Sequence, residues 1–471
     1  MESFDLLMDR ARLVAQRIEQ AVEGDRSIIV IGHLDADGIT AASIVARSLK
    51  RKGGRFIIRI LSDLDQDVLK GLGSSQYDLQ VLCELGSGLV KEMDEFLGDD
   101  WILIDHHQTT EHELKHKNVF NCWQFGFDGS KDVSTAGMAY LVSSCLDRRN
   151  TDLAWLSVVG ALGDRQDVGS DRSFIAINEK ILQDAVRSGY VEVTTDLILS
   201  GRETKPVHEA LASTTSLYIP PLSGNRDACL ATVLSAGIEV KKGGRWRTLA
   251  DLNDDEKKKL VETLAQHISS TPESRLEELV GRVYILSRED ELSPIRDARE
   301  FATVLNSCGR TGRGGVGVSL CLGDRGRALD EAEEIFQEYR QKLNTYMNTI
   351  LLDEKRLIEN TNFTLIIGDG LVDEDMLGAV TSLLSNVPRL FGKPIFAKTL
   401  TKNGFTKFSG RVTKGVKPSI NLGQIVRNAA LLCGGIGGGH STAAGAKLET
   451  ARVNEFLRAI KEGIENAPAR P

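Results

Sequence analysis

Four short segments in the first third of the chain collect carboxylates and imidazoles: His33-Leu34-Asp35-Ala36-Asp37, Glu84, Asp105-His106-His107 and Asp164. Oxygen and imidazole donors in that mixture suit Mn²⁺ or a similar divalent ion. Two such ions about 4 Å apart acidify a shared water and clamp the attacking and leaving oxygens of a phosphoryl group, so the chemistry open to this set is phosphodiester hydrolysis. A bridging carboxylate would fix the spacing of the ions, and hydrogen-bonded partners would orient the imidazoles.

Such donors must be gathered by the elements that carry them. Each segment is expected where a strand ends. Ser27-Ile28-Ile29-Val30-Ile31 precedes the first, Leu79 to Cys83 the second, and Trp101-Ile102-Leu103-Ile104 the third. Leu156 to Leu162, which leads to Asp164, reads as strand or helix. Short, wholly apolar runs fit buried strands of a parallel sheet, whose carboxyl ends line one edge. Unpaired carboxylates crowded on that edge would repel one another, and burying each costs several kcal/mol. Gly38 is expected to allow a sharp turn into a helix from Ile39 to Leu49, with backbone donors for a phosphate at Thr40.

A second signal lies near the C-terminus, Gly434-Gly435-Ile436-Gly437-Gly438-Gly439-His440-Ser441-Thr442-Ala443-Ala444-Gly445. So many glycines let backbone N–H groups approach a ligand without side chains in the way. Upstream, Lys393 to Lys417 holds seven cations and no acid, with Phe396, Phe405 and Phe408 interleaved. Cations of this kind track a phosphate backbone and aromatics stack on unpaired bases; equally, the phenylalanines could be core. Within it Arg411 is the leading phosphate contact. Arg310 and Arg313 in a glycine-rich loop, and Lys50-Arg51-Lys52, are weaker basic features.

The chain has 471 residues, 41% hydrophobic and 26% charged, which implies two or three globular domains rather than disorder. No apolar run reaches the roughly 18 residues of a membrane span, and the N-terminus lacks the apolar core of a signal peptide. Seven scattered cysteines without a Cys-x-x-Cys read as reduced core residues of a cytoplasmic protein, and argue against a cysteine-built zinc site. A net charge of −8 excludes a protein that coats nucleic acid uniformly, but not a local basic track.

The organisation follows from element alternation. Residues 6–22 are expected to form a helix covering the sheet, and 27 to about 190 alternate strands and helices. The fold class is therefore α/β: an N-terminal parallel-sheet domain with helices on both faces (1–195), a middle domain or insertion (196–325) containing Pro206, Pro220-Pro221 and a polar helix Asp251 to Ser270, a long linking helix (326–361), and a smaller C-terminal α/β domain (362–471) with a frayed tail from Glu465.

Together the motifs resemble the DHH phosphoesterase superfamily: His-x-Asp-x-Asp-Gly, an acid after the next apolar run, Asp-His-His, a downstream Gly-Asp, and Gly-Gly-Gly-His-x-x-Ala-Ala-Gly. Gly126-Phe127-Asp128-Gly129-Ser130, Ala136-Gly137-Met138-Ala139-Tyr140 and Arg299 to Asn306 make the chain most similar to archaeal RecJ-like nucleases, including GINS-associated nucleases. The resemblance implies a mixed sheet in the C-terminal domain and a 5′→3′ exonuclease acting on single-stranded DNA or RNA in replication or repair, with two Mn²⁺ or Mg²⁺ ions. It implies His33, Asp35, Asp37, Glu84, His106 and Asp164 as metal ligands. Asp105 would support them and His107 would face the phosphate, both counted as catalytic. Lys407, Ser409, Arg411, Gly437, Gly438, Gly439 and His440 would hold substrate. GINS and the replicative helicase are the implied protein partners, and no membrane is. One departure stands out: Cys83-Glu84-Leu85-Gly86-Ser87-Gly88 carries glutamate where the family has the metal-bridging aspartate. One extra methylene can shift the spacing, and misplacement by about 1 Å can cost 10²-fold in rate. Two other readings stay open: a non-catalytic replisome scaffold that binds GINS, and a phosphodiesterase for short oligonucleotides.

Overall fold

The computed structural model describes residues 2–214, 219, 222–268, 279–417 and 420–467. Pro220-Pro221, the end of the expected polar helix at 269–270 and the tail from 468 lie outside the described residues. The described residues group into two compact units, one running to residue 336 and one from residue 337.

The first unit is built on five parallel strands, β1 (Ser27–His33), β2 (Arg55–Leu61), β3 (Leu79–Cys83), β4 (Trp101–Asp105) and β5 (Val119–Asn121), in the order β2-β1-β3-β4-β5. Their apolar runs alternate between two cores. Ile28, Val30, Val81, Cys83, Ile102 and Ile104 face one, with Leu7, Val14 and Ile18 of the helix Glu2–Glu23. Ile29, Ile31, Leu82, Leu103 and Trp101 face the other, with Leu69, Leu72 and Met93. Burial on both faces is why these strands lack a polar alternation. The edge strand β2 alternates exposed and half-buried residues instead.

Three expectations shift. The second helix begins at Ala36, not Ile39, because Asp35 caps it by accepting the Gly38 N–H at 3.1 Å. Thr40 is therefore buried inside the helix, its hydroxyl bonded to the Ala36 and Asp37 carbonyls, and is no phosphate donor. Gly38 is needed for close packing, since a Cβ there would lie 2.5 Å from the His33 nitrogen. Ala154–Gly163 is a helix, so Asp164 leaves a helix end rather than a strand.

Strands β6 (Val191–Leu197) and β9 (Val280–Leu286) pair antiparallel. Between them lie the small hairpin β7 (Lys241–Lys242) and β8 (Arg245–Trp246) and a helix over Asp254–Ile268. The long helix Arg327–Leu352 carries Ile335 in the first unit's core and Tyr339 in the second's. It ends at Leu352, short of the expected 361, and the chain forms β10 (Leu357–Glu359) instead.

The second unit holds β10, β11 (Thr364–Ile367), β12 (Ile395–Leu400), β13 (Phe405–Arg411), β14 (Ile436–Gly439) and β15 (Ala443–Glu449), ordered β10-β11-β12-β13-β15-β14. Only β11 and β12 run parallel, so the sheet is mixed. Phe396 and Phe408 are buried core residues, which removes them as base-stacking platforms; Phe405 alone of the three is exposed. Within the glycine-rich run, Ile436–Gly439 form the edge strand β14. Its glycines let the helix Leu422–Leu432 pack closely: a Cβ on Gly437 would meet the Ala430 Cβ at 2.7 Å. Gly437→Val is therefore expected to destabilise this unit by about 1–3 kcal/mol through overpacking, read as a lowered denaturation midpoint.

Candidate metal centre

Strand order explains how the donors meet. The strand β3 lies between β1 and β4, at the point where the chain order reverses, which is where open sheets of this topology bind ligands. The Glu84 carboxylate, just past β3, is thus flanked by the His33–Asp37 segment after β1 and by His106 after β4. Two sets of potential ligand atoms result, each within 4.8 Å of one another: His33, Asp35 and Glu84; and Asp37, Glu84, His106 and Asp164. Glu84 belongs to both. Its Oε2 lies 3.8 Å from His33 Nδ1 and its Oε1 lies 3.8 Å from His106 Nε2. His33 Nδ1 is 2.8 Å from Asp35 Oδ2, and His106 Nε2 is 3.3 Å from Asp164 Oδ2.

Backbone groups fix each donor. Asp37 accepts the N–H groups of Thr135 (2.7 Å) and Ala136 (2.9 Å), at the start of the helix Thr135–Leu146. Gly160 leaves room for it, since a Cβ there would come within 2.5 Å of Asp37 Oδ1. His106 Nδ1 donates to the Gly129 carbonyl at 2.8 Å, which assigns the tautomer and aims the Nε2 lone pair at Glu84 and Asp164. Gln166 donates to the same carbonyl, and Trp123 donates to the His106 carbonyl. Glu84 itself sits at φ +69°, a left-handed backbone that a glutamate seldom adopts.

Asp105 faces inward rather than joining either set. It accepts the N–H groups of His106 and His107, the His107 ring N–H at 2.9 Å and the Ser87 hydroxyl at 2.6 Å. Ser87 lies in the Leu-Gly-Ser-Gly stretch that follows Glu84, so Asp105 ties the β3 and β4 loops together.

The electrostatics call for cations. Burial, then Asp35, Asp37 and Asp164, push the Glu84 carboxyl well up; burial, then Asp37, Asp35 and Asp105, do the same to Asp164. Burial pushes Asp37 up to about 6. Burial opposes charge on Asp35 as well, but adjoining His33 overrides it and holds the carboxyl low. Burial and the neighbouring His107 lower His106 to about 4, so its imidazole is neutral and able to ligate. His107 is half-buried, which pulls it down, yet the Asp105 carboxylate raises it. Glu84 Oε2 is buried and receives no hydrogen bond among the described residues. A buried oxygen without a donor, amid crowded carboxylates and neutral imidazoles, fits an O/N-ligated divalent cation.

Residues far along the chain complete this edge. The Asn306 side chain accepts the Ala36 N–H at 3.1 Å. Gly309 abuts Leu34 so closely that a Cβ would lie 1.6 Å from its carbonyl oxygen. Arg310 ends the helix Ala298–Arg310, rather than sitting in a loop, and its charge acts on Asp164. Sequence reading missed Asn306 and Gly309 as supports; their only signal was the quoted motif around them. It likewise passed over Gly129, Gln166 and Ser87.

In the second unit, Lys407, Ser409 and Arg411 alternate along β13 and so share one face. Register places Ser409 opposite Gly445, and Gly445 opposite Gly438. A floor of small residues results, edged by Lys407, Lys447 and Arg411. Arg411 donates to Ser382 Oγ (2.9 Å) and the Gly410 carbonyl (2.8 Å), and Lys407 lies 3.9 Å from Asp375. Gly439 (φ +135°) and His440 close the β14–β15 hairpin, where the His440 N–H donates to the Ala443 carbonyl.

Three family models match successive parts of the chain. The DHH family N-terminal domain matches residues 27–160, the DHH-CID domain 199–280 and the DHHA1 domain 364–466. An uncharacterized protein of Methanocaldococcus jannaschii is 28% identical over 444 residues, 93% of each chain. Thermus thermophilus RecJ in complex with Mn²⁺ has the same fold (TM-score 0.58, 18% identity); the match covers 98% of this chain and 55% of that one. CDC45 from Entamoeba histolytica matches with a TM-score of 0.63 at 12% identity, over 98% and 99% of the two chains. No described helix is long and apolar enough to cross a membrane.

The raised Asp37 value sets a pH test. A carboxyl raised on folding binds its proton more tightly in the folded state; that stability is present below the unfolded value and lost as pH rises through the folded one. Metal-free wild type is expected to lose thermal stability between about pH 4 and about pH 6 relative to Asp37→Asn, and Mn²⁺ to restore it at neutral pH. Parallel curves would contradict the assignment.

Proposed function

The chain belongs to the DHH superfamily and is RecJ-like in fold, and from that premise we propose that it is a cytoplasmic, metal-dependent exonuclease of single-stranded DNA or RNA, working 5′→3′ in replication or repair. One observation carries the reading: Glu84 presents one oxygen to each of two donor sets. His33, Asp35 and Glu84 would hold one Mn²⁺ or Mg²⁺, and Asp37, Glu84, His106 and Asp164 a second. Bound there, the pair would supply an acidified water and neutralise phosphoryl charge. The chain's own residues do the rest. Asp105 holds the β3 and β4 loops and, by raising the His107 imidazole, favours the protonated form that can donate to a phosphate oxygen. On the second unit, Lys407, Arg411 and the small residues Ser409 and Gly438 suit a sugar–phosphate backbone, with Gly437, Gly439 and His440 beside them.

A second reading rests on the CDC45-like fold: a scaffold that binds GINS and the replicative helicase without catalysis. The complete donor set argues for catalysis. A third, hydrolysis of short oligonucleotides, uses the same centre.

End-labelled single strands with Mn²⁺ separate these. Wild type is expected to shorten a long strand progressively from its 5′ end, and Asp35→Ala to lose about 10²-fold or more in rate. If wild type leaves every strand intact while Glu84→Asp digests them, the scaffold reading holds. Cleavage of dinucleotides alone supports the third.

A further inference from the structure

Away from the metal centre, the first unit contains a pocket of about 190 Å³ lined by Arg47, Trp155, Tyr190, Leu286, Arg288 and Arg325, with Glu289 and Gly323 at its margin. Three guanidinium groups face it against one carboxylate. Glu289 is already satisfied, since Arg325 grips it in a two-pronged pair at 2.6 and 2.7 Å. Arg47 gives one N–H to the Cys321 carbonyl at 3.1 Å and makes no ion pair among the described residues. Arg288 lies 3.6 Å over the Tyr190 ring; its hydrogen bond to the Ser188 carbonyl is long, 3.4 Å, and it too makes no ion pair among the described residues. Tyr190 stacks on Trp155, with centroids 6.1 Å apart and planes 6° from parallel. The pocket thus joins spare, planar N–H donors to a flat aromatic wall.

We infer that this pocket is a binding site for a phosphate-class oxyanion, with Arg47 and Arg288 as its donors, while the charge of Arg325 is balanced by Glu289. Guanidinium forks match tetrahedral oxyanions, and stacking on Tyr190 holds the Arg288 fork in place. The volume equals that of about six liquid waters, below the 300–1,000 Å³ of sites for drug-sized ligands. It accepts inorganic phosphate or pyrophosphate, or the phosphate end of a nucleotide whose body lies outside the pocket. The site does not involve the metal ligands, so its fate is independent of the exonuclease reading.

The test uses the full chain, stripped of metal on a chelating resin so that phosphate cannot be held at the carboxylate cluster. Inorganic phosphate, pyrophosphate and a nucleoside 5′-monophosphate are titrated by calorimetry and tryptophan fluorescence. At least one is expected to bind saturably, and Arg47→Gln with Arg288→Gln to weaken it at least tenfold. Arg288→Gln alone, at an exposed residue, is expected to weaken it measurably without disturbing the fold. Trp155→Phe should abolish the fluorescence change and leave the heat. Equal affinity for phosphate and nucleotide assigns the free ion; a nucleotide advantage of tenfold or more assigns the larger ligand. No saturable binding up to about 10 mM, or binding unchanged by the double substitution, overturns the proposal.

Discussion

Mutual repulsion among carboxylates at one sheet edge governs the first unit. Asp35, Asp37, Glu84 and Asp164 are brought within reach of one another by strand order, and no lysine or arginine ion-pairs with them among the described residues. Several kcal/mol per buried charge would be lost if the edge stayed as bare anions. Much of the surrounding architecture acts on this cost. Two backbone N–H groups hold Asp37, the Gly129 carbonyl sets the His106 tautomer, and Arg310 acts at a distance on Asp164. These measures orient the donors while leaving the central deficit of positive charge for a divalent ion.

Glu84 concentrates that constraint. Its strand is central, so its carboxylate cannot avoid either donor set, and its backbone is held in the left-handed region at a cost of order 1–3 kcal/mol. Asp105 shows the opposite solution. Every one of its contacts comes from protein donors, so burial and charge coexist without an ion.

Much of this was legible in the residues, and what was not has definite causes. Strands β1, β3 and β4 read clearly because five-residue apolar runs leave no other way to be buried. The run before Asp164 did not, because Ala, Leu, Val and Gly at Ala154–Gly163 suit a buried helix and a buried strand equally. The start of the helix at Ala36 depended on recognising Asp35 as a cap as well as a member of the donor cluster. In the second unit, alternation puts Lys407, Ser409 and Arg411 on one face and Phe408 on the other; the cationic spacing was visible, but the core behind it was not. The glycine run carried two meanings at once. Small residues serve close helix packing as readily as ligand access, and Gly437 serves the former. Asn306 and Gly309 act across some 270 residues, beyond any local periodicity.

That last contact has a bearing on how the protein is made. The N-terminal sheet leaves the ribosome early, and its strands can pair at once. The loop between His33 and Ala36, however, has no acceptor for the Ala36 N–H and no wall behind Leu34 until the helix Ala298–Arg310 emerges. Long-range closures of this kind are late events in folding. The geometry of the carboxylate edge therefore rests on a segment some 270 residues downstream and waits on a long-range closure.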